Sequence, residues 1–209
     1  MGFLLTPEQE AALRRLSTET LGECDPAVQV LDRRIRYIGG GKLVGIAHLS
    51  VIHPGDNLGA HEALYRAEPG QVLVYDANWY ADSGFWGEIM TAAAVQRGLK
   101  GLVTNGAVRD VPCYDNYRFP AFAQGVCIRG TTKLHHAAYP SSLVFGNAVI
   151  HQNDVIVGDE DGIVAFRPEH VERVIAAAIA RDLKEQVILQ RIRNGESTID
   201  IYSLGGQKS

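Results

Sequence analysis

Residues 86–110, WGEIMTAAAVQRGLKGLVTNGAVRD, constrain the possible folds more than any other stretch of this chain. Their pattern predicts a helix that opens on Gly87-Glu88 and stops at Gly98, a glycine just past the last apolar repeat. A short buried strand through Leu102 and Val103 follows, then a turn at Asn105-Gly106. Arg109 and Asp110 come next, beyond a strand end, where side chains reach a crevice rather than a core. Free N–H groups at a helix start bind anions. An aspartate binds a hard cation, and an arginine binds a carboxylate or a developing oxyanion. Brought close in space, these groups would hold a small oxo-acid and a divalent metal.

Around this unit the chain alternates. Thr6-Pro7-Glu8-Gln9 reads as an N-cap, a proline at the first helical position and a capping-box glutamine, so a first helix is expected over about residues 6–18. The segment from Val28 to Ile38 is mixed in polarity and does not declare its type. Leu43–Val51 reads as a strand. Gly55-Asp56 opens a short helix through Ala67, which Pro69-Gly70 ends, and Gln71–Asp76 is a second buried strand. From Ala121 to Phe166 the pattern changes to short strands without a helix, with Val155–Val157 and Ile163–Phe166 as hairpin partners about the turn Gly158-Asp159-Glu160-Asp161-Gly162. A long helix then starts at Pro168 and runs to about residue 193, its apolar face carried by Val171, Val174, Ile175 and Ala178, with Gly195 as its stop. The tail from Ile199 to Ser209 reads as an exposed or partner-docking extension. Helices alternating with strands, followed by a cluster of strands, indicate one mixed α/β domain over residues 1–209.

Bulk properties exclude several classes. A net charge of −4 and no long basic cluster argue against nucleic-acid binding, because Arg33-Arg34 with Arg36 is the densest basic group. Cys24, Cys113 and Cys127 are odd in number and lack Cys-x-x-Cys spacing, which argues against a disulfide framework or a structural zinc site and for a reducing, cytoplasmic setting. No stretch approaches the ~20 apolar residues of a membrane span. Met1-Gly2 followed by Thr6 fits a myristoylation pattern only formally. Gly39-Gly40-Gly41-Lys42 lacks the spacing of a phosphate-binding loop. His135-His136 are adjacent, so they point apart and chelate poorly, and the 158–162 turn resembles a calcium loop in composition alone.

Gly87-Glu88 followed by Gly106-Ala107-Val108-Arg109-Asp110 resembles the core motif of the RraA-like proteins, among them the 4-hydroxy-4-methyl-2-oxoglutarate/4-carboxy-4-hydroxy-2-oxoadipate aldolases. The resemblance extends through Gly55-Asp56-Asn57 with His61, Arg129-Gly130-Thr131-Thr132-Lys133, the 158–162 turn and Lys184-Glu185 on the C-terminal helix. It implies a swivelling β/β/α fold, assembled as a homotrimer or a dimer of trimers with sites between subunits. It also implies a class II pyruvate aldolase that uses Mg²⁺ or Mn²⁺, with possible decarboxylation of oxaloacetate. The founding members of the family instead bind and inhibit an RNA-processing endonuclease, so a non-catalytic regulator is the alternative.

By this resemblance Asp110 is the direct metal ligand and Arg109 holds the keto oxygen as it becomes an enolate. The backbone of Gly87, Glu88, Ile89 and Met90 presents N–H groups to the substrate carboxylate, and Glu88 bonds metal-bound water. Asn57 and His61, four residues apart, handle the distal carboxylate or a proton-relay water. Lys133 is a pocket lysine, and Glu185 serves a neighbouring subunit's pocket. Each has a plainer reading: Asp110 as a cap for backbone N–H groups, Arg109 as a structural ion-pair partner, Gly87-Glu88 as a helix start, His61 as a surface or core histidine, and Lys184-Glu185 as solvated helix charge. Two departures from the aldolases stand out. Cys113 occupies the position three after Asp110 where they carry an acid, with Asp115 two further on. Trp79, Tyr80, Phe85 and Trp86 replace a glycine-rich segment, which predicts a capped pocket or an aromatic subunit contact.

Overall fold

A computed structural model of the chain describes residues 3–204. Gly2, the formal acylation site, and the last five residues of the tail lie outside them. Thr6 caps helix α1 (Pro7–Arg15) through the reciprocal Thr6–Gln9 capping box that the sequence predicts. Helix α2 (Thr18–Cys24) follows. The ambiguous 28–38 segment holds two short strands, β1 (Gln29–Val30) and β2 (Arg36–Gly39). They lie at opposite edges of one sheet, which no local pattern encodes.

The sheet is built on a parallel block. Strands β3 (Leu43–Val51), β4 (Gln71–Asp76), β6 (Gly101–Val108) and β7 (Ala121–Val126) lie side by side, and β5 (Gly84–Trp86) pairs with the far end of β6. Antiparallel strands extend it: β10 (Val155–Gly158) and β11 (Ile163–Phe166) beside β3, and β2 beside β7. The full path is β1-β11-β10-β3-β4-β6-β7-β2. The expected turn at Asn105-Gly106 is absent, because β6 continues through it. Buried Asn105 accepts the Ala77 amide at 2.7 Å and donates to Asp76 at 2.7 Å, and a register shift between Thr104 and Ala107 absorbs the irregularity.

Helices cover one face. Helix α3 (Leu58–Arg66), α4 (Glu88–Gln96) and α5 (Pro112–Tyr117) pack Ala63, Leu64, Met90, Ala94 and Tyr114 against Leu73, Tyr75 and Leu102. The rest of that face, over β3, β10 and β11, takes α1, α2 and the start of α6 (Val171–Arg193), which a 3-10 turn at Pro168–His170 introduces. The hairpin β8 (Ser142–Phe145) and β9 (Ala148–His151) covers the opposite face with Leu143, Phe145 and Ile150. The result is the β/β/α layering that the sequence resemblance implies. In α6 the buried residues are Val171, Val174, Ile175 and Ala178, the predicted face; beyond Ala178 the helix projects, with Leu183, Val187 and Leu189 exposed. A final short helix, α7, spans Thr198–Ile201, and Ile199, Tyr202 and Leu204 in the described part of the tail are exposed. No helix among the described residues is long and apolar enough to cross a membrane.

Candidate functional site

The site residues gather at the carboxyl ends of β5 and β6. Parallel pairing sets Trp86 beside Val108, and the Arg109 amide donates to the Trp86 carbonyl at 2.8 Å. That register presses Gly87, the residue before α4, against the Arg109-Asp110 turn. A Cβ at position 87 would stand 2.3 Å from Asp110 Oδ2 and 3.1 Å from Arg109 Cγ. Gly87 has an extended backbone that any residue adopts, so space alone demands the glycine.

Asp110 adopts the left-handed region at φ 56° and aims its carboxylate at the start of α4. Its Oδ2 accepts the Glu88 amide at 3.0 Å and lies 3.8 Å from Arg109 Nε. The plainer reading of Asp110 therefore holds: it caps α4. It does so with one oxygen, on a side chain 47% exposed. The next first-turn amides, Ile89 and Met90, have no intrahelical carbonyl to meet. Ile89 is 82% exposed at the mouth, whereas the Met90 side chain belongs to the core and can offer only its backbone. Tyr114 donates its hydroxyl to the Arg109 carbonyl at 3.0 Å, which braces the turn from beneath.

Two of the four aromatics, Phe85 and Trp86, are core residues and do not cap a pocket. Trp86 is fully buried, stacks on Phe119 and donates Nε1 to Thr91 Oγ1 at 2.9 Å; Phe85 is buried beside Tyr75. They anchor the strand–helix junction from inside the same subunit. Trp79 instead carries the Arg34 guanidinium over its ring at 3.8 Å. Cys113 is buried against Thr91, where burial pushes the thiol pKa up and the nearby Glu88 and Asp110 carboxylates add to the rise. Asp115 accepts the Gly40 amide at 2.8 Å and so does not replace the missing acid.

Asn57 precedes α3 rather than lying within a helix begun at Gly55, because α3 starts at Leu58. Its Nδ2 donates to the Phe85 carbonyl at 3.1 Å, bringing it to the same junction, and its buried Oδ1 has no partner among the described residues. His61 lies one turn on, its amide bonded to the Asn57 carbonyl at 3.1 Å. Burial lowers the His61 pKa, and the positive charge of Lys133 lowers it further. Glu185 is not brought to this cluster within the chain. It lies on the projecting part of α6, 3.0 Å from Arg181 Nε.

Asp56, which the motif contains but to which its residue types assign no role, holds the 132–135 segment in place. It accepts the Thr132 hydroxyl at 2.6 Å and the amides of Leu134, Leu58 and His135. Burial opposes its charge, yet these bonds together hold its pKa well below the usual carboxylate range. Lys133 lies on that segment, between Thr132 and Leu134. A sequence signal for this anchor is weak, since an Asp after a glycine in a loop is ordinary turn chemistry. His135 and His136 point apart, as their adjacency predicts: His135 stacks on His53 at 3.9 Å, and His136 Nδ1 meets Glu62 at 2.5 Å.

Among the described residues no group of three or more His, Cys, Asp or Glu could hold a metal ion. A structural zinc site, with its four protein ligands, does not fit this donor set. A hard cation that keeps several waters and takes further oxygens from its substrate does, on the half-exposed Asp110 carboxylate.

The RraA-like family model, described as Aldolase/RraA, matches residues 18–165. The chain belongs to that family. A Halalkalibacterium halodurans protein, provisionally named 4-hydroxy-4-methyl-2-oxoglutarate aldolase, is 29% identical over 161 residues, covering 77% of this chain and 77% of its own. Among solved structures, an uncharacterised Pseudomonas syringae protein superposes with a TM-score of 0.81 at 23% identity, over 94% of this chain and 93% of that one. The RNA-processing inhibitor RraA from Thermus superposes with a TM-score of 0.66 at 21% identity, over 72% of this chain and 92% of its own. At these identities the two structures share the fold. The RraA match leaves more of this chain uncovered than the Pseudomonas syringae match does.

Proposed function

We propose that this RraA-like protein is a divalent-metal-dependent carbon–carbon lyase. It would cleave a 4-hydroxy-2-oxo-dicarboxylic acid of the 4-hydroxy-4-methyl-2-oxoglutarate type, or decarboxylate oxaloacetate, to release pyruvate. The observation that carries this reading is the contact at Gly87, where Arg109 and Asp110 fill the space of a missing Cβ at a helix N-terminus. A chain that needed only a capped helix has no use for an adjoining arginine, 40% exposed, at the same mouth. The aldolase name of the relative points the same way.

Mg²⁺ or Mn²⁺ held by Asp110 would supply Lewis-acid polarisation of the substrate's keto and carboxylate oxygens. Arg109 meets the keto oxygen, where its charge favours the enolate over the ground-state carbonyl. The amides at the start of α4 take the carboxylate of the pyruvoyl end. Asn57, His61 and Lys133 serve the distal end, and His61, its pKa lowered by burial and Lys133, is suited to accept the C4 hydroxyl proton directly or through water. The C3–C4 bond breaks, its electron pair forms the enolate, and protonation at C3 gives pyruvate.

Glu185 would complete the pocket of a neighbouring subunit in a homotrimer or dimer of trimers. Its position on the projecting part of α6, away from its own chain's cluster, supports that role. Pyruvate release, coupled to lactate dehydrogenase with and without EDTA, tests the function. Turnover that survives complete metal stripping would exclude the metal-dependent mechanism. Inactivity across a panel of oxo-acids would shift the reading to a non-catalytic regulator that binds an RNA-processing endonuclease.

A further inference from the structure

Residues two apart on a strand share a face. Along β3 the face that carries Val44 and Ile46 turns polar at His48 and Ser50, though both residues are buried. There the strand passes between the packing under α1, α2 and α6 and the packing under α3 and α4. His48 Nε2 and Ser50 Oγ are sealed from solvent and have no hydrogen-bond partner among the described residues.

His48 also lines a cavity of about 360 Å³ with Arg66, Tyr139, Ser141 and Gln152. This wall is rich in donors. The Arg66 guanidinium lies 4.2 Å over the Tyr139 ring, and among the described residues no carboxylate is within ion-pair distance of it. The Tyr139 ring in turn lies 6.0 Å from His48. Gln152 accepts the Leu49 amide through Oε1 at 2.9 Å, which leaves its Nε2 as a donor. Arg97 binds the carbonyls of Leu64, Tyr65 and Ala67, so the negative end of α3 is neutralised beside the cavity. Burial lowers the His48 pKa and Arg66 adds to this, with Glu68 opposing, so the uncharged ring is favoured. Glu62, the other nearby acid, is engaged by His136 and the Ala137 amide.

We propose that this cavity binds a small monocarboxylate, its planar head on the Arg66 fork and the Tyr139 and Ser141 hydroxyls and its short apolar tail along Pro140. A guanidinium matches a carboxylate in plane and spacing. One cation among neutral donors, with Glu62 and Glu68 close by, suits a single negative charge better than a phosphate dianion. The cavity shares no lining residue with the Arg109-Asp110 cluster, so the proposal stands whether or not the chain is a lyase.

The test is a titration of the full-length protein with propionate at constant ionic strength, followed through the ring nitrogens of His48 by NMR. Saturable shifts with a Kd on the order of millimolar are expected. Butyrate should bind more tightly than formate, and Arg66→Gln should weaken binding at least tenfold. Ser141→Ala, a second exposed position, should weaken it severalfold, and Arg109→Gln should leave it unchanged. Equal shifts from chloride, no saturation, or undiminished binding in both the Arg66 and Ser141 variants would overturn the site. Tighter binding of inorganic phosphate than of propionate would overturn the monocarboxylate assignment.

Discussion

Asp56 and Asp110 each follow a strand of the parallel block, and they are opposites in every other respect. The Asp56 side chain is 1% exposed and accepts from one hydroxyl and three amides. Asp110 is 47% exposed and accepts one amide. A saturated carboxylate has nothing left to offer a ligand, so its stabilisation is spent on holding loop 132–135 against α3. An unsaturated one on a rigid strand end keeps lone pairs for chemistry. Saturation, more than residue type or position after a strand, separates an anchor from a site.

Removing each carboxylate in turn tests this contrast most severely. Asp110→Ala should lower metal-dependent turnover by more than the roughly 10–100-fold that changes around a metal's ligands cost. The fold should survive with a loss of about 0.5–2 kcal/mol, the cost of a lost helix cap, because the side chain supports no core. Equal turnover in the variant would end the proposed division. Next in size, Arg109→Lys should cost about 10²-fold in kcat, since a point charge cannot replace the planar fork at an enolate and a carboxylate; near-normal kcat would refute the enolate role.

On the anchor side, Asp56→Ala should destabilise the fold by about 1–3 kcal/mol by leaving buried donors unpaired, measured by urea unfolding. The effect has a pH signature. The folded pKa of Asp56 is depressed, so its stabilisation is complete above the ordinary value of about 3.9 and is lost as pH falls through that value towards the folded pKa. The gap between wild type and Asp56→Asn should therefore narrow on acidification below about pH 4. A gap that widened would mean the charge is not what the loop requires.

Two smaller effects sharpen the comparison. If Glu185 serves a neighbour, mixing Asp110→Ala with Glu185→Ala under subunit exchange should restore part of the lost activity. A monomer by sedimentation, or no recovery despite proven exchange, would leave Glu185 as helix-surface charge. Lys133→Met should raise the His61 pKa, read by NMR titration, because a positive neighbour is removed; an unchanged titration would place Lys133 away from His61.

What the sequence determined by itself was local. The Thr6–Gln9 capping box, β3, β4, the stop of α4 at Gly98 and the buried face of α6 all rest on interactions within a few residues, and each lies where the pattern puts it. The meeting of Gly87 with Arg109-Asp110 was also legible, as segments expected to come close in space. Only the tertiary structure decided what depends on distant pairing. Asn105-Gly106 has turn chemistry, yet β7 pairs with β6 before and after it and the Asn105 side chain binds the Ala77 amide and Asp76, so β6 runs through it. Trp86 could have capped a pocket, but Phe119 and Thr91 take it into the core. Whether Asp56 or Asp110 keeps free lone pairs turns on donors contributed from residues 58 and 132–135 in one case and residue 88 in the other. Propensity acts through neighbours in the chain, whereas burial and saturation are set by neighbours in space.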